Sequence, residues 1–269
     1  MKFTKMQGTG NDYVYINCFE ETVERPEELA VKVSDRHFGI GSDGLILICP
    51  SGQADCRMKM FNADGSESEM CGNGIRCVGK YVYDHHIVEK DEFDVETKAG
   101  IKHLKGTDEG GKAVLITVDM GIPEVTGEVP EPITIDGRSY EFIGISMGNP
   151  HAIYYMDEID GLDLEAMGPA FETHERFPER TNSEFIQVID RSHLRMRVWE
   201  RGSGETWACG TGATASAVAS VLSGRTENTV EVELKGGILS ITWDRESGHV
   251  YMTGPAVEVF QGEFDPENL

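Results

Sequence analysis

The sequence has little positive charge and no long apolar run. Its 269 residues contain 24 Lys and Arg against 47 Asp and Glu, a formal net charge of −23 at pH 7. Such a chain repels phosphate backbones and anionic membranes, so no nucleic-acid partner is expected. No stretch approaches the roughly 18 apolar residues needed to cross a bilayer, and residues 1–8 lack the apolar core of a signal peptide. We therefore expect a cytoplasmic protein without a membrane partner.

Cysteine is also sparse, and its spacing does not resemble the dense disulfide framework of a small secreted domain. The six thiols are Cys18, Cys49, Cys56, Cys71, Cys77 and Cys209. The first three lie in apolar, strand-like runs and are expected to be buried as small hydrophobic side chains. Cys77 is also expected to pack. His85-His86 has no metal-ligand spacing with another His or Cys, so no metal site is expected.

Two cysteines lie in near-identical surroundings, Met-Cys-Gly-Asn-Gly at Met70–Gly74 and Ala-Cys-Gly-Thr-Gly at Ala208–Gly212, and their numbers, 71 and 209, differ by 138. The same offset relates Gly10-Asn11 to Gly148-Asn149, Phe61-Asn62 to Trp199-Glu200, and Glu67 to Glu205. Agreement of several residue types at one offset indicates an internal duplication. A chain of this length has room for two domains. We expect an N-terminal lobe of residues 1–117 plus 255–269 with Cys71, and a C-terminal lobe of residues 118–254 with Cys209.

The hydrophobic pattern predicts a mixed α/β fold in which strands dominate both halves. Predicted strands are Tyr13–Cys18, Leu45–Cys49, Arg57–Phe61, Ala113–Asp119, Ala152–Met156, Phe185–Ile189, Leu194–Trp199, Thr229–Leu234 and Ile238–Trp243. Predicted helices are Pro26–Asp35, Ile75–His85, Leu164–His174 and Gly212–Leu222. Each cysteine motif therefore stands at the entrance to a helix.

This position has chemical consequences, because the first-turn N–H groups of a helix are unpaired and carry partial positive charge. A thiol there is expected to have a lowered pKa, and the glycines after each cysteine let backbone donors approach a carboxylate. A tight turn before a packed helix is the alternative for either motif alone. Two thiols around one amino acid would permit removal of its Cα proton on one face and return of a proton on the other.

The motifs that carry this chemistry resemble the diaminopimelate epimerase family over essentially the whole chain. They are Gly8-Thr9-Gly10-Asn11-Asp12, Phe61-Asn62-Ala63-Asp64-Gly65-Ser66, Met70–Cys77, Ser146-Met147-Gly148-Asn149-Pro150-His151 and Glu200–Gly212. The resemblance implies a cofactor-independent isomerase that needs no pyridoxal phosphate and interconverts LL- and meso-diaminopimelate for lysine and peptidoglycan synthesis. It also implies two pseudo-symmetric lobes, each a curved, barrel-like sheet around a central helix.

The resemblance assigns site residues by position. Cys71 and Cys209 correspond to the base and acid, and His151 and Glu200 to residues that assist them. Substrate-binding positions correspond to Asn11, Asn62, Gly72, Asn73, Asn149, Asn182, Glu200, Arg201, Gly210 and Thr211. One position departs from some relatives, which have glutamine where Gly44 stands here; the residue 138 further on is Asn182, which keeps an amide.

These residue types suit a substrate with an amino-acid group at each end. Arg201 can bind a distal carboxylate through two hydrogen bonds, and each Asn offers both a donor and an acceptor. A surface ion pair with Glu200 or Glu205 is the alternative for Arg201, and a turn is the alternative for Asn11 and Asn149.

Three other functions remain open at this stage. A proline or hydroxyproline racemase would use the same thiols on a substrate without a distal amino-acid group. A thiol-switch protein would form a disulfide between Cys71 and Cys209 under oxidation. A non-enzymatic amino-acid-binding protein would have no use for paired thiols. The sequence also leaves open whether the chain forms a homodimer.

Overall fold

The computed structural model describes residues 1–268, so Leu269, part of the expected N-terminal lobe, lies outside the described residues. The chain divides into two compact units: Met1–Val118 together with the residues from Gly254 onward, and Asp119–Thr253. Within residues 1–268, no helix is both long enough and apolar enough to span a membrane.

The elements follow one another in mixed α/β order. The helices are α1 (Pro26–Ser34), α2 (Gly72–Asp84), α3 (Leu164–Glu172) and α4 (Gly210–Leu222). The strands are β1 (Lys2–Gly8), β2 (Asn11–Asn17), β3 (Gly44–Cys49), β4 (Cys56–Asn62), β5 (Glu67–Ser68), β6 (Glu92–Thr97), β7 (Gly100–Glu109), β8 (Lys112–Gly121), β9 (Glu124–Val125), β10 (Glu131–Ile135), β11 (Arg138–Ser146), β12 (Pro150–Tyr155), β13 (Asn182–Asp190), β14 (His193–Glu200), β15 (Gly204–Thr206), β16 (Thr229–Leu234), β17 (Gly237–Trp243), β18 (Val250–Gly254) and β19 (Val257–Glu263).

The two units have the same strand order. In the first, the neighbours run β19, β1, β2, β3, β4, β6, β7, β8, with β2–β3 and β4–β6 parallel and the other pairs antiparallel. In the second they run β10, β11, β12, β13, β14, β16, β17, β18, with β12–β13 and β14–β16 parallel and the rest antiparallel. The helix bounds also repeat, since α1 and α3, and α2 and α4, differ by 138 at both ends. The duplication inferred from the sequence is therefore confirmed in the backbone.

One helix lies at the centre of each unit. α2 packs against β1, β2, β7 and β19, which stand at opposite ends of the strand order, so the sheet must curve around the helix. α4 packs in the same way against strands from β11 to β17. Small buried residues, Ala213, Ala215, Ala217 and Ala219, allow the strands to approach α4 closely. The predicted fold, a curved sheet around a central helix, is confirmed for each unit.

The remaining helix of each unit covers a second core. In the first unit, Leu29, Ala30 and Val33 of α1 pack with Val14 and Leu45. In the second, Phe171 of α3 packs among Phe142, Tyr154, Phe185 and Trp199, and several of these rings meet edge to face.

Every expected helix and strand is present, with two kinds of difference. Helices α2 and α4 begin earlier than predicted, at Gly72 and Gly210. Ten of the strands within residues 1–268 were not predicted. The expectation of burial holds for Cys56 and Cys77 but is wrong for Cys18 and Cys49, which are only half-buried. These two residues lie at the ends of apolar runs and pack at the margin of the core that contains Val14 and Leu45.

Candidate active site

Cys71 is the N-cap of α2, where its extended backbone turns into the helix. Its sulfur accepts a hydrogen bond from the N–H of Gly74 at 3.4 Å, and the thiol donates to Oδ1 of Asn11 at 3.3 Å. The side chain is half-buried. A cap of this kind satisfies one first-turn donor and aims the sulfur past the end of the helix. The thiol of the first unit is therefore held at both sides by residues of the same unit.

A network of charged side chains fixes Asn11 at the start of β2. Its Nδ2 donates to Oδ2 of Asp43 at 2.7 Å, and the backbone N–H of Asp12 donates to the same oxygen at 3.1 Å. Arg36 bridges Asp12 and Asp43 with one nitrogen at 3.0 Å from each carboxylate, and Lys5 pairs with Asp12. Because Nδ2 is bound to Asp43, Oδ1 of Asn11 is turned toward Cys71.

The other expected residues of the first unit lie at the same edge of its sheet. Gly72 and Asn73 form the first turn of α2 and are buried, and Thr9 donates to Oδ1 of Asn73 at 3.3 Å. Asn62 ends β4, half-buried, and its Nδ2 donates to Oγ of Ser66 at 3.0 Å. The first unit thus brings Asn11, Cys71 and the first turn of α2 into direct contact, with Asn62 at the end of a neighbouring strand.

Cys209 repeats the arrangement in the second unit as the N-cap of α4. The N–H of Gly212 donates to its sulfur at 3.4 Å, and Oγ1 of Thr211 lies 3.5 Å from the sulfur. Nδ2 of Asn149, in the turn before β12, donates to Oγ1 of Thr211 at 3.3 Å. Gly210 is the first residue of the helix. The prediction that both cysteines stand at helix entrances is confirmed.

The expected lowering of the thiol pKa is wrong for Cys209. Burial, followed by the nearby carboxylates of Glu200 and Glu184, raises the pKa of this thiol well above its usual value, although Thr211 and the N–H of Gly212 act in the opposite direction. A helix N-terminus contributes about 0.3–1 kcal/mol, whereas desolvation of a buried charge costs several kcal/mol. The thiol form of Cys209 is therefore favoured.

A buried histidine–glutamate pair lies beside Cys209. Nδ1 of His151, on β12, is 2.7 Å from Oε1 of Glu184, on β13, and neither side chain is exposed to solvent. Nε2 of His151 is 3.1 Å from Oδ1 of Asn149, so the pair connects through Asn149 and Thr211 to the sulfur. Sequence reasoning missed Glu184. Its signal was a charged residue directly before the predicted strand Phe185–Ile189.

The remaining residues of the second unit surround Arg201. Asn182 opens β13; its Nδ2 donates to the carbonyl of Pro150 at 2.8 Å and its Oδ1 accepts from the backbone N–H of Arg201 at 2.9 Å. Glu200 ends β14 and accepts a hydrogen bond from Thr206. Asn182 thus fixes the backbone of Arg201.

The guanidinium of Arg201 is exposed and donates to the carbonyl of Glu179 at 3.3 Å. It forms no ion pair with a carboxylate of residues 1–268, because Glu205 pairs with Arg197 at 2.9 Å instead. The expected alternative of a surface pair with Glu200 or Glu205 is therefore wrong.

Each unit can thus present a thiol and the N–H groups of a helix first turn, the groups needed to exchange a proton and to bind a carboxylate. Over residues 1–268, no three His, Cys, Asp or Glu side chains are grouped so as to hold a metal ion.

Comparison with known proteins places the chain in a family. The model of the diaminopimelate epimerase family matches residues 3–126 and 143–259. The chain belongs to the diaminopimelate epimerase family. Relatives named diaminopimelate epimerase include that of Desulfovibrio desulfuricans, 59% identical over 98% of both chains, and that of Acetivibrio thermocellus, 58% identical over the full length of both.

The fold of this diaminopimelate epimerase family member is shared more widely. A phenazine biosynthesis protein of the PhzF family from Bacillus anthracis has a TM-score of 0.75 at 18% identity, covering 98% of this chain and 99% of that protein. A hydroxyproline epimerase from Agrobacterium vitis, solved with bound trans-4-hydroxy-L-proline, has a TM-score of 0.74 at 15% identity, covering 97% of this chain and 91% of that protein. At these identities the likeness concerns the fold alone.

Proposed function

We propose that the chain is a cofactor-independent epimerase that interconverts LL- and meso-2,6-diaminopimelate by proton transfer at Cα. One observation carries this proposal: in a member of the diaminopimelate epimerase family, two cysteines cap equivalent 13-residue helices with the same N–H···S distance of 3.4 Å. The reaction supplies lysine and peptidoglycan synthesis. We place this reaction in the cytoplasm. Its substrate is a small molecule, and the chain needs no nucleic-acid or membrane partner for it.

The mechanism uses one thiolate and one thiol. The thiolate takes the Cα proton, and the electron pair left on Cα is delocalised into the adjacent carboxylate, which becomes enolate-like. Helix N–H groups at Gly72, Asn73, Gly210 and Thr211 support that oxygen-centred charge, which is the part of the transition state most in need of donors. The thiol then delivers its proton to the opposite face of Cα. The substrate leaves inverted, with the proton count unchanged and the roles of Cys71 and Cys209 exchanged.

The remaining polar groups distinguish the two ends of the substrate. Arg201 has an exposed guanidinium whose fork suits the distal carboxylate. Asn11, Asn62 and Asn149 offer amide donors and acceptors for the amino and carboxylate groups, and Asn182 positions Arg201 through its backbone. His151 and Glu200 assist Cys209, whose surroundings they share. We propose that the N-terminal lobe (residues 1–117 with 255–269) supplies Cys71 and the C-terminal lobe (118–254) supplies Cys209 to one substrate.

The proposal is tested by incubating reduced protein, without added cofactor, with LL-diaminopimelate in D2O. Mass spectrometry should show one deuterium at Cα in the meso product. If active, folded protein incorporates no deuterium into diaminopimelate but does so into proline or hydroxyproline, the racemase alternative replaces this proposal. If no amino acid exchanges a proton although diaminopimelate binds, the chain is a binding protein.

Serine variants test the thiols one at a time. Cys71→Ser and Cys209→Ser should each lower epimerisation by orders of magnitude while binding survives, since a hydroxyl is a far weaker acid than a thiol. Cys56→Ala is the matched control, because this buried thiol lies outside both N-caps. Unchanged turnover in either serine variant contradicts the two-thiol mechanism.

A further inference from the structure

The duplication allows each thiol to be compared with its counterpart. A Cβ built on Gly74, three residues after Cys71, would lie 2.8 Å from Cδ1 of Ile46. A Cβ built on Gly212, three residues after Cys209, would lie 2.6 Å from Oε1 of Glu184 and 3.2 Å from the sulfur of Cys209. Ile46 and Glu184 are 138 residues apart, so they occupy equivalent positions, each fully buried behind the first turn of its helix. An apolar side chain in one unit is replaced by a carboxylic acid in the other.

Positions 76 and 214 are also equivalent, and here the charged side chain belongs to the first unit. Arg76 of α2 donates from Nη1 to the carbonyl of Gly72 at 3.2 Å, and Thr214 of α4 donates to the carbonyl of Gly210 at 2.8 Å. The two side chains thus bind the same backbone group of their helices, and both are fully buried. Arg76 interacts electrostatically with Cys71. A cation therefore lies behind Cys71 where Cys209 has a neutral hydroxyl.

Glu184 is costly to bury and is only partly satisfied. Its Oε1 meets His151 at 2.7 Å, while its Oε2 is buried without a hydrogen-bond partner among residues 1–268. Burial raises the pKa of this carboxyl, and His151 acts against the rise. An unmatched carboxylate oxygen in the interior is expected to cost several kcal/mol, so its presence beside a reacting thiol suggests a role other than stability.

The pair can hold one proton along the short contact. The charged groups that act on Cys209 are Glu200 on β14 and Glu184 on β13, and His151 on β12 contacts the second. A thiolate at Cys209 would place a further negative charge beside these carboxylates.

We infer that Glu184 is a positioning residue for the reaction: together with His151 it holds Cys209 in the thiol form in the substrate-free enzyme, so that Cys209 is the acid of the forward turnover. This inference rests on the proposed two-thiol function. In the forward turnover Cys71 gains the Cα proton and Cys209 loses its own to Cα. The enzyme is ready for another forward turnover when Cys71 has released a proton to water and Cys209 has taken one up.

The test measures the thiols themselves and needs no turnover. Wild-type protein and the Glu184→Gln variant are alkylated with iodoacetamide from pH 6 to 11, and the rates at Cys209 and Cys71 are read separately by peptide mass spectrometry. At pH values below the titration midpoint of Cys209 in either protein, we expect Cys209 to be alkylated about tenfold faster in E184Q than in wild type. This ratio corresponds to a thiol pKa about one unit lower in the variant. The profile of Cys71 should not move.

Two further variants separate charge from packing. Glu184→Asp keeps a carboxyl group and should restore the wild-type profile of Cys209. Glu172→Gln removes another buried carboxylate of the same unit, one that accepts from Trp199 and Gly202, and should leave the Cys209 profile unchanged. If E184Q does not shift Cys209, or if E184D shifts it equally, the inference is overturned. A wild type that fails to epimerise diaminopimelate would overturn the proposed function instead, and the two failures are thus distinguishable.

Discussion

Gly44 is a position where the structure predicts a large effect from one added methyl group. It opens β3 directly opposite Asn62 of β4. A Cβ at this residue would lie 2.2 Å from the carbonyl oxygen of Phe61 and 2.8 Å from Cε1 of Tyr13. The first of these contacts is with backbone, so no side-chain rotation can relieve it. Glycine is required here by the close approach of two strands.

The size of the effect follows from that distance. A carbon and a carbonyl oxygen on neighbouring strands ordinarily lie about 3.3 Å apart or more, so Gly44→Ala must displace β4 by about 1 Å. This displacement weakens the pairing of Gly44 with Asn62 and of Leu45 with Phe61. Overpacking of this kind costs about 3 kcal/mol, which corresponds to a fall in Tm of about 6–12 °C for a chain of this size.

Thermal unfolding followed by circular dichroism measures the change. Gly52→Ala is the matched control, because a Cβ there meets no atom within 4 Å and the backbone is not left-handed. Since Asn62 moves with β4, the KM for diaminopimelate should rise in G44A while G52A keeps the wild-type value. A Tm for G44A within about 2 °C of the control, less than 1 kcal/mol, would show that the strand tolerates a side chain and would refute the argument.

Three other predictions follow from named contacts. Burial raises the pKa of Cys77 to about 11 from an ordinary 9.0. Between these two pH values the folded chain keeps a proton that the unfolded chain loses, so the unfolding free energy is retained below pH 9 and falls toward pH 11. Urea unfolding of Cys77→Ala should show a shallower fall of the unfolding free energy over this range. Asp43→Asn loses the charge-assisted bonds to Asn11 and Arg36 and should raise KM about tenfold; an unchanged KM would exclude a role for Asn11 in binding. Arg201→Lys should raise KM about tenfold or more through loss of the planar fork, with little change in Tm because the guanidinium is exposed; a normal KM would place the distal carboxylate elsewhere.

The elements found from the sequence include those with a contiguous buried apolar run and strands whose apolar residues alternate, such as β16. β3, for example, is a run of six residues that are almost all buried, and α4 is rich in buried alanine. β19 was missed because most of its residues are exposed; it is held by pairing with β1 rather than by a buried face. β7 was missed because charged residues and Gly106 interrupt its alternation. Hydrophobic periodicity records burial, so strands stabilised mainly by their ladders leave little trace in it.

The site could be predicted in position but not in electrostatics. The repeated cysteine motif and its glycines were enough to place both thiols at helix N-termini, because that geometry is local. The pKa of Cys209 depends instead on burial and then on Glu200 and Glu184, which lie on β14 and β13. In the same way, Asp43, the residue before β3, orients Asn11 at the start of β2. Long-range neighbours decide the charge state of a buried group, and a sequence pattern contains no distances.

The difference between the two copies has a chemical reason. Equal presentation of two thiols suits a reaction whose forward and reverse directions exchange the same roles, and the equal N–H···S distances at Gly74 and Gly212 provide it. Equal thiols would, however, leave the proton on either sulfur before substrate arrives, and enzyme with two thiols or two thiolates cannot complete an inversion. A carboxylic acid at position 184, where the first unit has isoleucine at position 46, adds to the burial and the Glu200 charge that favour the thiol form of Cys209, and the N–H···S distances at the two helix ends stay equal. Divergence behind the thiols thus allows two units with the same helix-end geometry to differ in the protonation of their cysteines.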